Sequence, residues 1–146
     1  MTYYLGKIGK TEYLILKNQN KITLSFETTC FQGSKKYFNN NYINVLNPDN
    51  TLYNLETEIH DYVKDKLQGL ELKSNIIYNS DTYNKDVYSK KQFIQFKVDP
   101  NIVIEPESKL IITIEIDKIK INEKNKSYQI MLNLVKYKKI ENIEKI

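Results

Sequence analysis

The chain reads as a mainly β domain, a β-barrel or β-sandwich of OB-like type, with one amphipathic helix at about residues 51–68. Three observations predict this. Apolar and polar residues alternate near both ends, as in Ile22-Thr-Leu-Ser-Phe-Glu27 and Leu110-Ile-Ile-Thr-Ile-Glu-Ile116. Alternation of period two is what a half-buried strand requires. Only one stretch has helical periodicity. The last third carries two long alternating runs joined by a polar turn, and long bent strand pairs are what a small barrel uses to turn its corners.

Taken in order, Glu12-Tyr-Leu-Ile-Leu-Lys17 is an apolar run of β-formers, and Asn18-Gln19-Asn20 is a turn before Ile22, Leu24 and Phe26. This predicts an N-terminal hairpin. Residues 31–41, with Gly33 and three consecutive Asn, read as a loop. Tyr42-Ile-Asn-Val-Leu46 reads as a strand. Asn47-Pro48-Asp49-Asn50 breaks the chain and offers turn and N-cap chemistry. Leu52, Leu55, Ile59, Tyr62, Val63 and Leu67 then recur at helical spacing. Glu56 and Glu58 favour the start of that helix and Gly69 its end.

Residues 73–91 are polar and read as a long loop. Ile94, Phe96 and Val98 alternate with Phe93, Gln95 and Lys97, after which Asp99-Pro100-Asn101 turns the chain and Pro106 breaks it again. Ile112, Ile114 and Ile116 share one parity, and Ile119 and Ile121 the other. The slip at Asp117-Lys118 reads as a β-bulge within one long strand. Asn122 to Lys126 is a turn. Tyr128, Ile130, Leu132 and Leu134 alternate, and Val135 and Tyr137 switch parity. Residues 1–139 are thus expected to form one domain and 140–146 a short tail. A chain of 146 residues buries about 68–70% of its unfolded surface and needs no staple.

Cys30 is the only cysteine, which excludes an internal disulfide and a four-thiol zinc site and suits a reducing, cytoplasmic setting. The N-terminus lacks a signal-peptide pattern, and no apolar run approaches the roughly 20 residues of a membrane span. There is no Arg, Ala or Trp, whereas Ile, Asn, Lys and Tyr abound. AT-rich codons encode those residues, so the expected source is an AT-rich virus, phage or parasite, with host cytoplasm, virus factory or virion as the location if viral. The net charge of +4 is uneven: +4 over residues 1–40, −4 over 41–72, zero over 73–108, +5 over 109–139 and −1 in the tail. Basic ends around an acidic middle point to an anionic partner.

No catalytic constellation emerges. His60 is the sole histidine and reads as an ordinary helix-surface residue without a metal, and Cys30 as a small buried apolar one. Pro48-Asp49 followed by Glu71-Leu72-Lys73 has the spacing of metal-dependent nucleases. Here a helix separates the two elements, and Pro48-Asp49 already serves as turn chemistry. Four glycines in all leave no phosphate-cradling loop. The expectation is a non-enzyme with no cofactor, no metal and no membrane partner.

The positive signal is basic and aromatic. Lys118 and Lys120 point outward together, Lys124 and Lys126 occupy the following turn, and Lys136 and Lys138 share a parity. Lys35 and Lys36 precede Tyr37 and Phe38. Tyr78, Tyr83 and Tyr88 lie in the polar loop. Lys heads pair with phosphates, and exposed Tyr rings stack on unpaired bases. An AT-rich genome also places Lys and Tyr on any solvated sheet, so no single cluster decides the matter.

The order of elements resembles that of the single-stranded DNA-binding proteins of large nucleocytoplasmic DNA viruses, which are similar to phage helix-destabilising proteins. The residues that carry it are Ile22-Thr-Leu-Ser-Phe-Glu-Thr-Thr29, Gly33, the 51–68 helix and the Leu110–Tyr137 hairpin. The resemblance implies a non-catalytic single-stranded nucleic-acid binder. Absence of Trp departs from that class and leaves stacking to Tyr and Phe. The alternative is a structural protein of a viral particle, a minor capsid or cement component. Its edge strands and the Ile140, Ile143, Ile146 tail would dock on copies of itself or on assembly partners.

Overall fold

Alternating isoleucine-rich segments set the architecture. The computed structural model describes residues 2–47, 50–80 and 90–140. The elements are β1 (Tyr3–Lys7), β2 (Glu12–Lys17), β3 (Ile22–Tyr37), β4 (Asn40–Leu46), α1 (Thr51–Val63), β5 (Glu71–Leu72), β6 (Ile77–Ser80), β7 (Lys90–Val98), β8 (Ser108–Asn122) and β9 (Ser127–Lys139). The protein is mainly β, with one helix among the described residues. Hydrogen-bonded strands follow the order β1-β2-β8-β3-β4-β7-β6, with β9 pairing β8 and β5. Among the described residues this path is open. No helix there is long and apolar enough to cross a membrane.

The residues group into two compact units. One comprises Met1–Leu24, Asn50–Asn75 and Ile114–Asn133, and the other Ser25–Asp49, Ile76–Thr113 and Leu134–Ile146. In the first, Ile15, Leu52, Ile59, Val63, Ile114, Ile116, Ile119, Tyr128 and Ile130 are buried. In the second, Cys30, Ile43, Val45, Ile94, Phe96, Leu110 and Ile112 are. Burial along β8 alternates through Ile116 and resumes at Ile119, so the parity slip lies where Asp117-Lys118 predicts it.

Four expectations need correction. The turn at Asn18-Gln19 is real: both residues are left-handed (φ 51° and 66°), and Lys17 and Asn20 exchange backbone bonds of 2.9 and 3.1 Å. The strands part after that pair. β2 instead bonds β1 on one side (Leu5 opposite Ile15) and β8 on the other (Tyr13 opposite Ile119). Periodicity identifies inward residues, but it does not name the neighbouring strand.

Residues 31–41 are not a loop. β3 runs on to Tyr37 and returns at Asn40, with a register shift between Phe31 and Lys35. Ser34 and Ile104 bond each other across that shift, with Ser34 N donating to Ile104 O at 2.8 Å and Ile104 N to Ser34 Oγ at 2.9 Å. Polar side chains concealed the strand because Lys35, Lys36 and Tyr37 are all exposed, so neither parity marks a core-facing side there.

The helix ends at Val63 rather than 68. Leu67 N still donates to Val63 O, and that extra turn buries Leu67 before Gly69 adopts φ 81°. At its start Asn50 is left-handed and makes no side-chain cap. Glu56 and Glu58 lie beyond the first turn and act as tethers. Glu56, 2% exposed, accepts from Ser74 Oγ (2.6 Å), Asn75 N (2.9 Å) and Asn75 Nδ2 (3.0 Å). Glu58 accepts from Tyr3 OH (2.8 Å) and Lys17 Nζ (3.2 Å).

The polar stretch after residue 73 contains a strand as well. β6 pairs β7, with Ile77 opposite Phe93. Glu71-Leu72 pairs in parallel with Ser127-Tyr128.

Burial chemistry around the helix has a pH signature. Desolvation, then the Glu56 and Asp61 carboxylates, push the Tyr128 phenol up to about 12. Burial and the bond to Glu58 push Tyr3 up as well. The bond from Tyr3, then Lys17, holds the Glu58 carboxyl below its usual range. For both tyrosines the folded state favours the neutral phenol. Their contribution is therefore complete below the ordinary phenol pKa of about 10 and is lost as pH rises toward the folded value. We expect the strand circular dichroism to collapse in that alkaline window, together with a late rise in tyrosinate absorbance. Tyr128→Phe should remove one late-ionising group. If the absorbance lost in that variant falls near the ordinary phenol pKa of about 10 instead of in the late phase, burial does not hold this proton.

Candidate nucleic-acid interface

Strand register decides which charges meet. In the second unit Lys35 of β3 stands opposite Tyr42 of β4, and Tyr42 stands opposite Lys97 of β7. Directly opposed side chains in antiparallel pairs have Cβ atoms about 4.5–5.5 Å apart. The row is thus an aromatic ring with an ammonium-bearing chain on each side. Lys35 and Lys97 are exposed and Tyr42 is half-buried. Tyr37, two residues beyond Lys35, shares this face and is exposed. Asn44, opposite Gln95, adds a polar row. The reverse face of β4 carries buried Asn41, Ile43 and Val45, which fixes the orientation of the whole strand. Asn41 anchors it further, with Nδ2 donating to Asp99 O and Ile102 O at 3.0 and 2.7 Å. Asn101 N in turn bonds Asp99 Oδ1 at 2.9 Å, which closes the predicted turn.

Of the residues predicted from sequence, Lys35 and Tyr37 are brought together on this face. Lys36 is exposed but has the opposite parity, paired with Asn41. Lys136 and Lys138 are exposed on β9, whose end is tied by Ile140 N to Lys109 O at 2.9 Å. Tyr78 lies on β6 opposite Gln92, and its side chain falls outside the described part. Tyr83 and Tyr88 lie outside the described residues, as do Asp49 and the tail isoleucines Ile143 and Ile146.

In the first unit Lys118 and Lys120 are exposed on one face of β8, opposite Leu14 and Glu12. Lys124 and Lys126 sit in the exposed turn, where Asn122 Oδ1 accepts from Lys124 N at 3.1 Å. A cleft of about 480 Å³ brings Lys120 and Lys124 together with Lys73, beside Asn122, Glu123 and Gln129. Lys73 entered the sequence reading only through the nuclease-like spacing. Here it is a third cation at a polar concavity. Among the described residues no group of three metal-ligating side chains gathers. His60 is not an ordinary surface histidine: its Nδ1 meets the Tyr128 hydroxyl, and the rings lie nearly parallel at 6.0 Å.

Tyr42 and Lys97 were missed as site residues. Tyr42 read simply as the first residue of a strand, and only the pairing of β4 with both neighbours shows what flanks it. Phe38 reads from sequence as an aromatic beside Lys35, Lys36 and Tyr37 in a loop, without being singled out as a contact residue.

No protein-family model matches the chain, and no curated protein or solved structure matches it either.

Proposed function

We propose that this protein binds single-stranded nucleic acid without catalysing a reaction on it. The observation that carries the reading is the Lys35–Tyr42–Lys97 row with Tyr37 on the same face. Lys ammonium groups neutralise backbone phosphates, and Tyr rings accept the faces of unpaired bases whatever their identity. Lys118, Lys120, Lys124, Lys126, Lys136 and Lys138 would each offer a further phosphate contact. An OB-like barrel or sandwich is the finer fold within this proposal. The length of β3, β8 and β9 supports it, and closure would need a pairing beyond those in the strand path. A cytoplasmic or virion setting accompanies it.

Polarisation titrations with labelled oligo-dT at several salt concentrations test the reading. Log affinity should fall linearly with log salt, by about 0.7 for each phosphate contact on a single strand. Replacing Lys118 and Lys120 by Gln should reduce that slope by about 1.4, and circular dichroism should be unchanged because exposed substitutions cost little. A salt-independent or undetectable interaction would sink the proposal.

The second reading is a structural component of a viral particle. Val103 and Val135, 81% and 52% exposed, favour it as contact points. Failure to bind oligo-dT, with an oligomer lost when residues 140–146 are removed, would select it.

A further inference from the structure

The tip of the β3–β4 hairpin departs furthest from ordinary surface chemistry. Phe38 is 84% exposed and Tyr37 68%. Phe38 also has φ 56°, so a bulky residue occupies the left-handed region at a turn position that favours glycine. Neither exposure nor conformation contributes to folding. Strain of this kind persists where the surroundings enforce it, and it concentrates at binding sites. The ring is oriented by its neighbour: Tyr37 and Phe38 meet nearly perpendicular, with centroids 4.6 Å apart. That is a preferred aromatic geometry, and at this exposure it leaves Phe38 open to a flat partner. Exposed Lys35, which shares the Tyr37 face, lies three residues before it.

We propose that Phe38 is a base-stacking platform, on which one unpaired nucleobase of a bound single strand rests. The inference rests on the single-strand reading above and extends its face from Tyr42 and Tyr37 to the hairpin tip. A nucleobase fits because it offers a broad π-face and comes with a phosphate for a neighbouring lysine. Bilayer insertion fits less well. Phe38 is one apolar ring followed by Asn39 and Asn40, and even a whole myristoyl chain anchors a protein only marginally.

The chain contains no Trp, so Phe38→Trp in the full-length protein installs a single reporter indole at the tip. Its emission should be quenched as oligo-dT saturates the protein, with affinity near that of the wild type. Phe38→Ala and Phe38→Leu should each lower affinity about 10- to 100-fold with the salt slope unchanged, because a ring and not a charge is lost. Phe38→Gly separates function from folding: it relieves the left-handed strain, so thermal stability should hold or rise while affinity falls. If the wild type binds oligo-dT but the Ala and Gly variants bind equally well and the indole emission is unmoved, Phe38 is not a platform and the face reading survives. If the wild type does not bind oligo-dT at low salt, the single-strand reading itself fails and takes this inference with it. If the indole responds to phosphatidylserine vesicles and not to oligo-dT, the tip is a membrane element and the proposal is overturned.

Discussion

Tyr42→Leu combined with Lys35→Gln and Lys97→Gln should weaken oligo-dT binding by two to three orders of magnitude at about 0.1 M salt. Two lost phosphate contacts account for about 1.4 decades there, measured against a 1 M reference. One lost stacking ring adds about 1–3 kcal/mol, or roughly one to two decades. The two parts separate by experiment. The double Lys variant should flatten the salt dependence by about 1.4, whereas Tyr42→Leu alone should lower affinity at every salt concentration with the slope preserved. Leu keeps the half-buried position filled, so folding should survive, and circular dichroism checks that. A triple variant that binds within threefold of the wild type would remove the Lys35–Tyr42–Lys97 row as the site.

The largest expected effect on stability lies at Glu56. The residue is 2% exposed and its carboxylate is met by three donors. Asn75 ties the same point to β9, with Nδ2 donating to Ile130 O at 2.7 Å and Oδ1 accepting from Gln129 Nε2 at 2.9 Å. Glu56→Ala strands the backbone and side-chain N–H groups of Asn75 and opens a cavity, and each buried orphan costs about 1–3 kcal/mol. A loss of about 3 kcal/mol should appear in urea unfolding, with Tm lower by about 6–12 °C. Glu56→Gln should cost only about 1 kcal/mol. Its amide oxygen can accept both Asn75 bonds, and its NH2 can donate to Ser74 Oγ, because a hydroxyl serves in either direction. Equal losses for Ala and Gln would mean that charge, and not hydrogen-bond matching, holds the helix to this segment.

Strands were legible wherever one face meets the core. Ile112, Ile114, Ile116 and Ile119 expose the strand and its slip together, since a change of parity moves every later side chain to the other face. They were illegible where pairing alone makes them. Lys35 to Tyr37 and Ile77 to Ser80 have little apolar alternation, and pairing with β4 and β7 makes them strands. The helix was legible from Leu52 to Val63. Its end was misplaced because Leu67 keeps the helical spacing in a turn beyond the last helical residue.

Sequence by itself determined the β-rich class, the central helix, the turns at Asn18-Gln19, Asp99-Asn101 and Asn122-Lys126, and the uneven distribution of positive charge. Each of these follows from residues close together in the chain: a period, a turn propensity or a count. Tertiary structure alone decided that β8 bonds to β2, that Lys35 and Lys97 flank Tyr42, that Lys73 joins Lys120 and Lys124 at one cleft, and that Glu56 faces Ser74 and Asn75. Those are relations between distant segments, set by strand register and helix docking. An alternating pattern specifies which face of a strand is buried but leaves open which strand lies beside it.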